Sequence, residues 1–132
     1  MHNGLKRILA DMAKELEGFV AAAVVVIEDG LPVAELSLRP EVESQAAAAY
    51  LASVVKSNRK AVKLLSGSPV TNDIIILNDE YSFIIRPLEH APFFLFVMTL
   101  KGEWLGRTRL VMDKYQERMQ RGSLAEASEM EP

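Results

Sequence analysis

The spacing of apolar residues along the first third of the chain predicts one helix followed by two strands. Within residues 4–17 the apolar side chains recur three and four positions apart, as on one face of a helix. Residues 19–28 are rich in Ala and Val without alternation, which is typical of a strand buried on both faces. Residues 33–39 alternate between apolar and polar, as in a half-exposed strand. The turn at Asp29-Gly30-Leu31-Pro32 predicts that the two strands form a hairpin.

The rest of the chain reads as a long helix, three strands and a final helix. The long helix covers residues 43–65 and is ended by Ser66-Gly67-Ser68-Pro69. Three apolar runs predict strands at residues 74–77, 81–86 and 93–100, and the third is apolar throughout, so we expect it to be central. The final helix covers residues 103–120. Its expected core residues are Trp104, Thr108, Val111, Tyr115 and Met119.

The element order α-β-β-α-β-β-β-α predicts one α+β domain over residues 1–120. This order of five strands and three helices is compatible with a five-stranded antiparallel sheet that the helices cover. Residues 121–132 are small, acidic and end in proline, which predicts a disordered tail.

The long helix carries more apolar surface than a helix resting on a sheet needs. At about 100° per residue, one apolar stripe contains Ala47, Leu51, Val55, Val62 and Leu65, and a second beside it contains Tyr50, Val54, Ala61 and Leu64. Together they cover roughly 200°, whereas about 100° is usual. Either the helix is sunk deep in its own core, or the second stripe packs on another subunit. The small size of the chain favours the second reading, because two other helices must also cover the sheet.

A predicted third strand over residues 71–77, which extends the apolar run at residues 74–77 backwards, adds to this argument. Four consecutive aliphatic residues, Ile74 to Leu77, need cover on both faces or a neighbour along the edge of the sheet. Pairing with the same strand of a second copy removes an open, aggregation-prone edge. We therefore predict a homodimer in which two long helices meet antiparallel.

The amino-acid composition excludes several classes of function but does not identify a particular one. The chain has 132 residues, of which 49% are hydrophobic and 25% charged, as in ordinary globular proteins. It has no cysteine, which excludes disulfides, thiolate metal sites and a cysteine nucleophile. The net charge of −3 comes without a basic stripe interleaved with aromatics, so nucleic acid is not an expected partner. The chain start is unlike a signal peptide and no apolar run reaches the roughly 20 residues of a membrane span, so we expect a soluble, cytoplasmic protein without membrane insertion.

The sequence contains no recognisable catalytic or metal-binding constellation. Neither His2 nor His90 has a second ligand at a suitable helical spacing. The carboxylate pairs Glu28-Asp29 and Asp79-Glu80 fall in hairpin turns, where acidic residues are expected for local backbone reasons. We therefore predict no catalytic residues, no metal and no cofactor. The basic side of the long helix is either a solvated surface or a docking face for an acidic partner; it consists of Lys56, Arg59, Lys60 and Lys63.

Three stretches of the sequence resemble the Roadblock family, the dynein light chain group that includes bacterial and archaeal regulators of Ras-like GTPases. Residues 18–33, with their Asp-Gly-Leu-Pro turn, look like the strand-turn-strand opening of the family. Residues 73–97 are similar to its three-strand half, and residues 104–110 to the glycine-containing start of its last helix. Their joint order extends the resemblance over residues 5–119.

The resemblance implies a Roadblock/profilin-like fold with the long helix on one face of the sheet and the two terminal helices on the other. It implies homodimerisation through the long helix and the third strand, and a platform that binds a small Ras-like GTPase, in the role of a non-catalytic adaptor. Carried onto this chain, the dimer interface consists of Tyr50, Val54, Ser57, Ala61, Leu64, Ile74 and Ile76. The partner-binding residues are Lys56, Arg59, Lys60 and Lys63. Two alternatives remain open: a scaffold subunit that never contacts a GTPase, and a small-ligand sensory domain, which would need a cavity with convergent polar groups.

Overall fold

The computed structural model describes residues 3–88 and 90–123, and its element order is the predicted one. In chain order the helices and strands are α1 (Asn3–Lys14), β1 (Phe19–Val26), β2 (Pro32–Ser37), α2 (Ser44–Ser66), β3 (Ile74–Leu77), β4 (Tyr81–Pro87), β5 (Phe93–Leu100) and α3 (Leu105–Arg118). A short π-helical turn, Met119–Ser123, extends α3.

The five strands form one antiparallel sheet in the order β2-β1-β5-β4-β3. The apolar β5 is the central strand, as predicted, and β2 and β3 are the edges. One apolar cluster joins the sheet to α2, and a second joins the opposite face to α1 and α3. The predicted α+β fold class, with the long helix on one side and the terminal helices on the other, is therefore confirmed.

Small side chains bring α2 close to the sheet. Alternate residues of β1, including Ala21 and Ala23, face α2, whereas Ala22 and Val24 face the terminal helices. Every residue of β1 is buried, as its unbroken apolar sequence predicts. The α2 residues buried against this strand and its neighbours are Ala48, Ala52 and Val55.

The β1–β2 turn also touches α2, and it requires glycine at one position. Gly30 has a φ of +73°, and a Cβ built there would lie 2.7 Å from the Ala49 Cα atom. Its amide donates to the Val26 carbonyl at 2.9 Å, which closes the turn. The hairpin turn and the first half of α2 are therefore in direct backbone contact.

Three details differ from the sequence predictions. Trp104 is not a core residue: it is 79% exposed because it is the extended residue before α3 begins. Leu65 is not part of the core stripe of α2 either, since it is 88% exposed. The third strand begins at Ile74, not at residue 71, because the preceding residues form hydrogen bonds to side chains of α2 and α3.

Part of the predicted C-terminal tail lies outside the described residues. The prediction covers residues 121–132, of which 121–123 continue the helical turn after α3. Residues 124–132 are not described, and neither are His2 and Glu89.

Candidate functional site

The second half of α2 has no buried residue, although two of its side chains form hydrogen bonds to the β1–β2 turn and to the segment before β3. The helix ends at Ser66, where Gly67 adopts the left-handed conformation and its amide donates to the Lys63 carbonyl at 2.8 Å. No residue of α2 after Val55 is buried. Residues 56–66 therefore form a regular helix that carries exposed apolar side chains.

Five predicted interface residues lie along one line of this helix, which we call the α2 seam. The seam consists of Tyr50, Val54, Ser57, Ala61 and Leu64, and all five are exposed. Their spacing alternates between four and three residues, the repeat of a helix seam that packs on another helix. Tyr50 is 77% and Leu64 87% exposed. The seam lies opposite the buried stripe of α2, because Tyr50 is two residues, about 200° of rotation, from Ala48 and from Ala52.

The edge strand β3 presents further apolar surface on the same side of the sheet as α2. Ile74 pairs with Ile85, and Ile76 pairs with Phe83, in the register of the β3–β4 hairpin. Because Ile85 and Phe83 belong to the cluster beneath α2, Ile74 and Ile76 face that side too. The outer edge of β3 has no strand partner within residues 3–88 and 90–123. The structure thus places Ile74, Ile76 and the α2 seam on one side of the molecule.

The predicted partner-binding residues are not equivalent in the structure. The Lys56 ammonium donates to the Glu28 carbonyl at 2.7 Å, so Lys56 holds the β1–β2 turn against α2. Arg59 lines a groove beside the helix. Lys60 and Lys63 are exposed. Only these last two form an open basic surface next to the seam.

The groove that Arg59 lines has a volume of about 700 Å³ and lies between α2, the segment that enters β3, and α3. Its walls combine apolar side chains such as Val70 and Leu88 with polar ones such as Asn72 and Gln116. The sequence did not predict this feature.

A network of charged side chains forms the floor of the groove, and we call it the Arg86 network. Arg86 donates to both carboxylate oxygens of Asp73, from Nε at 2.7 Å and from a terminal nitrogen at 3.0 Å. Its other terminal nitrogen donates to Asp113 at 2.7 Å and to Gln116 at 3.1 Å. Arg109 Nε donates to the second oxygen of Asp73 at 2.8 Å. The network ties β3 and β4 to α3.

Both members of the central pair keep their charge. Burial acts to raise the pKa of Asp73, but hydrogen bonds and positive charges from Arg86 and Arg109 outweigh it and hold this pKa below its ordinary value. Burial acts to lower the pKa of Arg86, and Asp73 and Asp113 reverse that effect and raise it. The pair is therefore ionic, with the Asp73 side chain only 2% exposed.

The register of the β3–β4 hairpin could have predicted the ion pair between Asp73 and Arg86, which the sequence predictions did not include. In the β3–β4 hairpin, Ile74 faces Ile85. The same register continued by one residue places Asp73 opposite Arg86. A carboxylate and a guanidinium that flank two apolar strands at matching positions therefore indicated an ion pair. The contributions of α3 depend on how that helix packs, which the hairpin alone does not determine.

Within residues 3–88 and 90–123, no three His, Asp or Glu side chains converge in a way that would hold a metal ion. Among the helices that the structure describes, none combines the length and apolarity needed to cross a membrane.

The layers and strand order define the class to which this structure belongs, the Roadblock-type α+β fold. Myxococcus xanthus MglB is similar at 14% identity, with a TM-score of 0.82 over 91% of this chain and 87% of that one. A structure titled "MglB with tetrameric arrangement" is similar at 16% identity, with a TM-score of 0.81 over 92% and 88%. The Roadblock/LC7 domain from Streptomyces avermitilis follows at 12% identity, with a TM-score of 0.77 over 88% and 94%. At these identities the likeness shows a shared fold.

Comparisons at the level of sequence gave no match, either to a protein-family model or to a curated protein.

Proposed function

We propose that this chain is a non-catalytic regulatory adaptor that forms a homodimer through α2 and β3 and binds a small Ras-like GTPase. The observation that carries the proposal is the exposed α2 seam on a helix whose second half contributes no buried residue. The Roadblock-type fold supports it, and one similar structure is described as an MglB with a tetrameric arrangement, so self-association has an example in this fold.

The seam is arranged for pairing with a second copy of itself. In an antiparallel pair related by a twofold axis at Ser57, Tyr50 of one copy meets Leu64 of the other, and Val54 meets Ala61. Each contact pairs a larger side chain with a smaller one, Tyr with Leu and Val with Ala. The small Ser57 lies where the two helices approach most closely. An isologous contact of this kind closes at two copies.

The apolar surface of the seam contributes a free energy of the same size as the cost of association. Burying Tyr50, Val54 and Leu64 stabilises by about 1.5–3 kcal/mol each, and a symmetric interface counts every residue twice. Association itself costs about 4–15 kcal/mol in lost freedom. Pairing of the two β3 edges would stabilise the dimer further through main-chain hydrogen bonds.

Cysteine crosslinking tests the dimer directly, because the chain contains no cysteine of its own. We expect Ser57→Cys to form a disulfide-linked dimer under mild oxidation, since the two Ser57 residues lie at the proposed twofold axis. The matched control is Ser53→Cys, exposed on the same face of α2 but one turn from the proposed axis, so that the two substituted residues of a dimer would lie about 12 Å apart along the helices, too far to join. Equal crosslinking of both variants, or none at position 57, would contradict this geometry.

Light scattering after size exclusion gives an independent readout of the same interface. The unmodified protein should elute with twice the mass of one chain, and Leu64→Glu should shift it to one chain, because a carboxylate replaces the most exposed seam side chain. Gln45→Glu carries the same charge change on an exposed position of α2 about 140° away from Tyr50, and it should remain dimeric. Circular dichroism of both variants establishes that each is folded.

The proposed GTPase contact uses the basic surface beside the seam, formed by Lys60 and Lys63. Reshaping a bound GTPase needs no donated side chain, so we assign no residue of this chain to GTP chemistry. Binding of the dimer to Ras-like GTPases should depend on whether GDP or a non-hydrolysable GTP analogue is bound. Lys60→Glu/Lys63→Glu should weaken it and leave the dimer intact. If no GTPase of a broad panel binds the dimer in either nucleotide state, the GTPase contact is wrong, and a scaffold function takes its place.

A further inference from the structure

The groove beside Arg59 brings together residues that are far apart in the sequence. Arg59 comes from α2, Asn72 from the segment before β3, Leu88 from the end of β4, and Arg109 and Gln116 from α3. Its volume of about 700 Å³ lies in the range of small-molecule sites. It lies beside α2 and at the open end of the β3–β4 hairpin, whereas the α2 seam points away from the sheet.

The lining of the groove contains more guanidinium donors than carboxylate acceptors. Among the described residues that line it, three arginines, Arg59, Arg86 and Arg109, face two acids, Asp73 and Asp113. Both oxygens of Asp73 accept from Arg86, and one accepts from Arg109 as well. The acids are therefore largely occupied by the Arg86 network itself.

Two of the arginines retain donors for a ligand. Within the described part of the chain, the Arg59 guanidinium makes no hydrogen bond or ion pair. Arg109 is held through Nε, and its side chain is 48% exposed, so its terminal nitrogens remain available at the groove. Because Asp73 is buried and anchored by Arg86, the position of Arg109 is fixed in advance of binding.

We propose that this groove binds a small molecule that carries a carboxylate or phosphate group on a short apolar body. Guanidinium groups match the geometry of both oxyanions and bind them with charge-assisted hydrogen bonds. The apolar body fits the wall formed by Pro69, Val70, Pro87 and Leu88. Arg59 and Arg109 contact the oxyanion, and the Arg86 network positions Arg109. This site is separate from the α2 seam and does not depend on the proposed GTPase contact.

Titrations with four probes test the site on the full chain. Benzoate and phenyl phosphate carry an apolar body, whereas acetate and inorganic phosphate carry the same oxyanions without one. We expect saturable changes in the backbone amide NMR signals of Thr71, Asn72 and Gln116 with the first two probes, and at least several-fold weaker binding of the last two. The stronger of benzoate and phenyl phosphate identifies which oxyanion the site prefers.

A matched pair of variants separates a specific contact from general attraction of anions. Arg59→Gln should weaken binding about tenfold, the effect of losing a charge-assisted hydrogen bond. Lys63→Gln removes the same charge one turn further along α2 and should change affinity less than twofold. Equal weakening by both variants, unchanged binding in Arg59→Gln, or no saturable shift with any probe would overturn the proposal. If phosphate bound as tightly as phenyl phosphate, and acetate as tightly as benzoate, the proposal that the ligand carries an apolar body would be wrong.

Discussion

At the scale of single residues, Asp73 is the group whose charge matters most for folding. It accepts three hydrogen bonds from two arginines, although its side chain is almost fully buried. A buried ion pair contributes little when compared with a well-packed apolar pair, but removal of one partner leaves a charge without compensation. The effect of losing Asp73 therefore falls mainly on Arg86.

We expect Asp73→Asn to lower the free energy of unfolding by about 3 kcal/mol near neutral pH. The folded-state pKa of Asp73 lies below that of the unfolded chain, about 3.9. The contribution of the carboxylate is therefore complete above the unfolded pKa and is lost as the pH falls through the folded pKa. The difference between wild type and variant should be largest above about pH 5 and should shrink toward about pH 3.

Urea unfolding at several pH values, at one fixed protein concentration, measures this difference. Asp79→Asn is the control, because Asp79 is an exposed acid in the turn of the same hairpin. A difference between wild type and Asp73→Asn that stays constant down to the lowest pH would show that the ionised carboxylate is not what stabilises this site.

At the scale of elements, the hydrogen bond between Tyr115 and Glu15 joins α3 to the turn that directly follows α1. Burial, and then the contact with Glu15, raise the pKa of Tyr115 to about 12. An unfolded tyrosine ionises near pH 10, so stability should fall as the pH rises from about 10 to about 12. Tyr115→Phe should remove this component from the alkaline unfolding profile, and the exposed Tyr50→Phe should retain it. Profiles of the two variants that coincide would argue against the assignment.

The contact between the β1–β2 turn and α2 gives a second element-scale prediction. Gly30→Ala forces alanine into the left-handed region and places its Cβ against the Ala49 backbone. Gly67→Ala shares the unfavourable φ, at +81°, but its Cβ meets no atom within 4 Å. We expect the second substitution to cost about 1–2 kcal/mol, and the first a further 1–3 kcal/mol, roughly, from overpacking. Thermal unfolding of the two variants compares them, and equal losses would show that the turn moves away from α2 at little cost.

Most of the element pattern was predictable because each element carries its own signal. The unbroken apolar sequences of β1 and β5 predicted strands covered on both faces, and α2 was recognisable from its length and its two apolar stripes. The wrong predictions concern residues whose local sequence pattern indicates burial but whose position in the fold leaves them exposed. Trp104 and Leu65 continue their apolar stripes in sequence, but Trp104 precedes its helix and Leu65 lies in the half of α2 that contributes no buried residue. The Arg86 network was missed because α3 completes it from a distant part of the chain.

At the scale of the whole molecule, the proposed dimer surface and the groove are formed by different side chains. The α2 seam and the side of β3 that bears Ile74 and Ile76 form the proposed dimer surface, on one side of the sheet. The groove opens beside α2 toward α3, and the start of α3 belongs to the opposite layer. A dimer built through the seam therefore leaves the groove and the start of α3 accessible to other molecules.

The single tryptophan reports on this arrangement. Trp104 is 79% exposed at the start of α3, away from the proposed dimer surface. Because dimerisation through α2 and β3 leaves this indole in water, its emission spectrum and its quenching by iodide should not change on dilution from dimer to monomer. Leu64→Glu supplies the monomer reference at high concentration and should give the same spectrum. A blue-shifted, protected tryptophan in the dimer would place the start of α3 in the interface, and the seam would then be free for the partner instead.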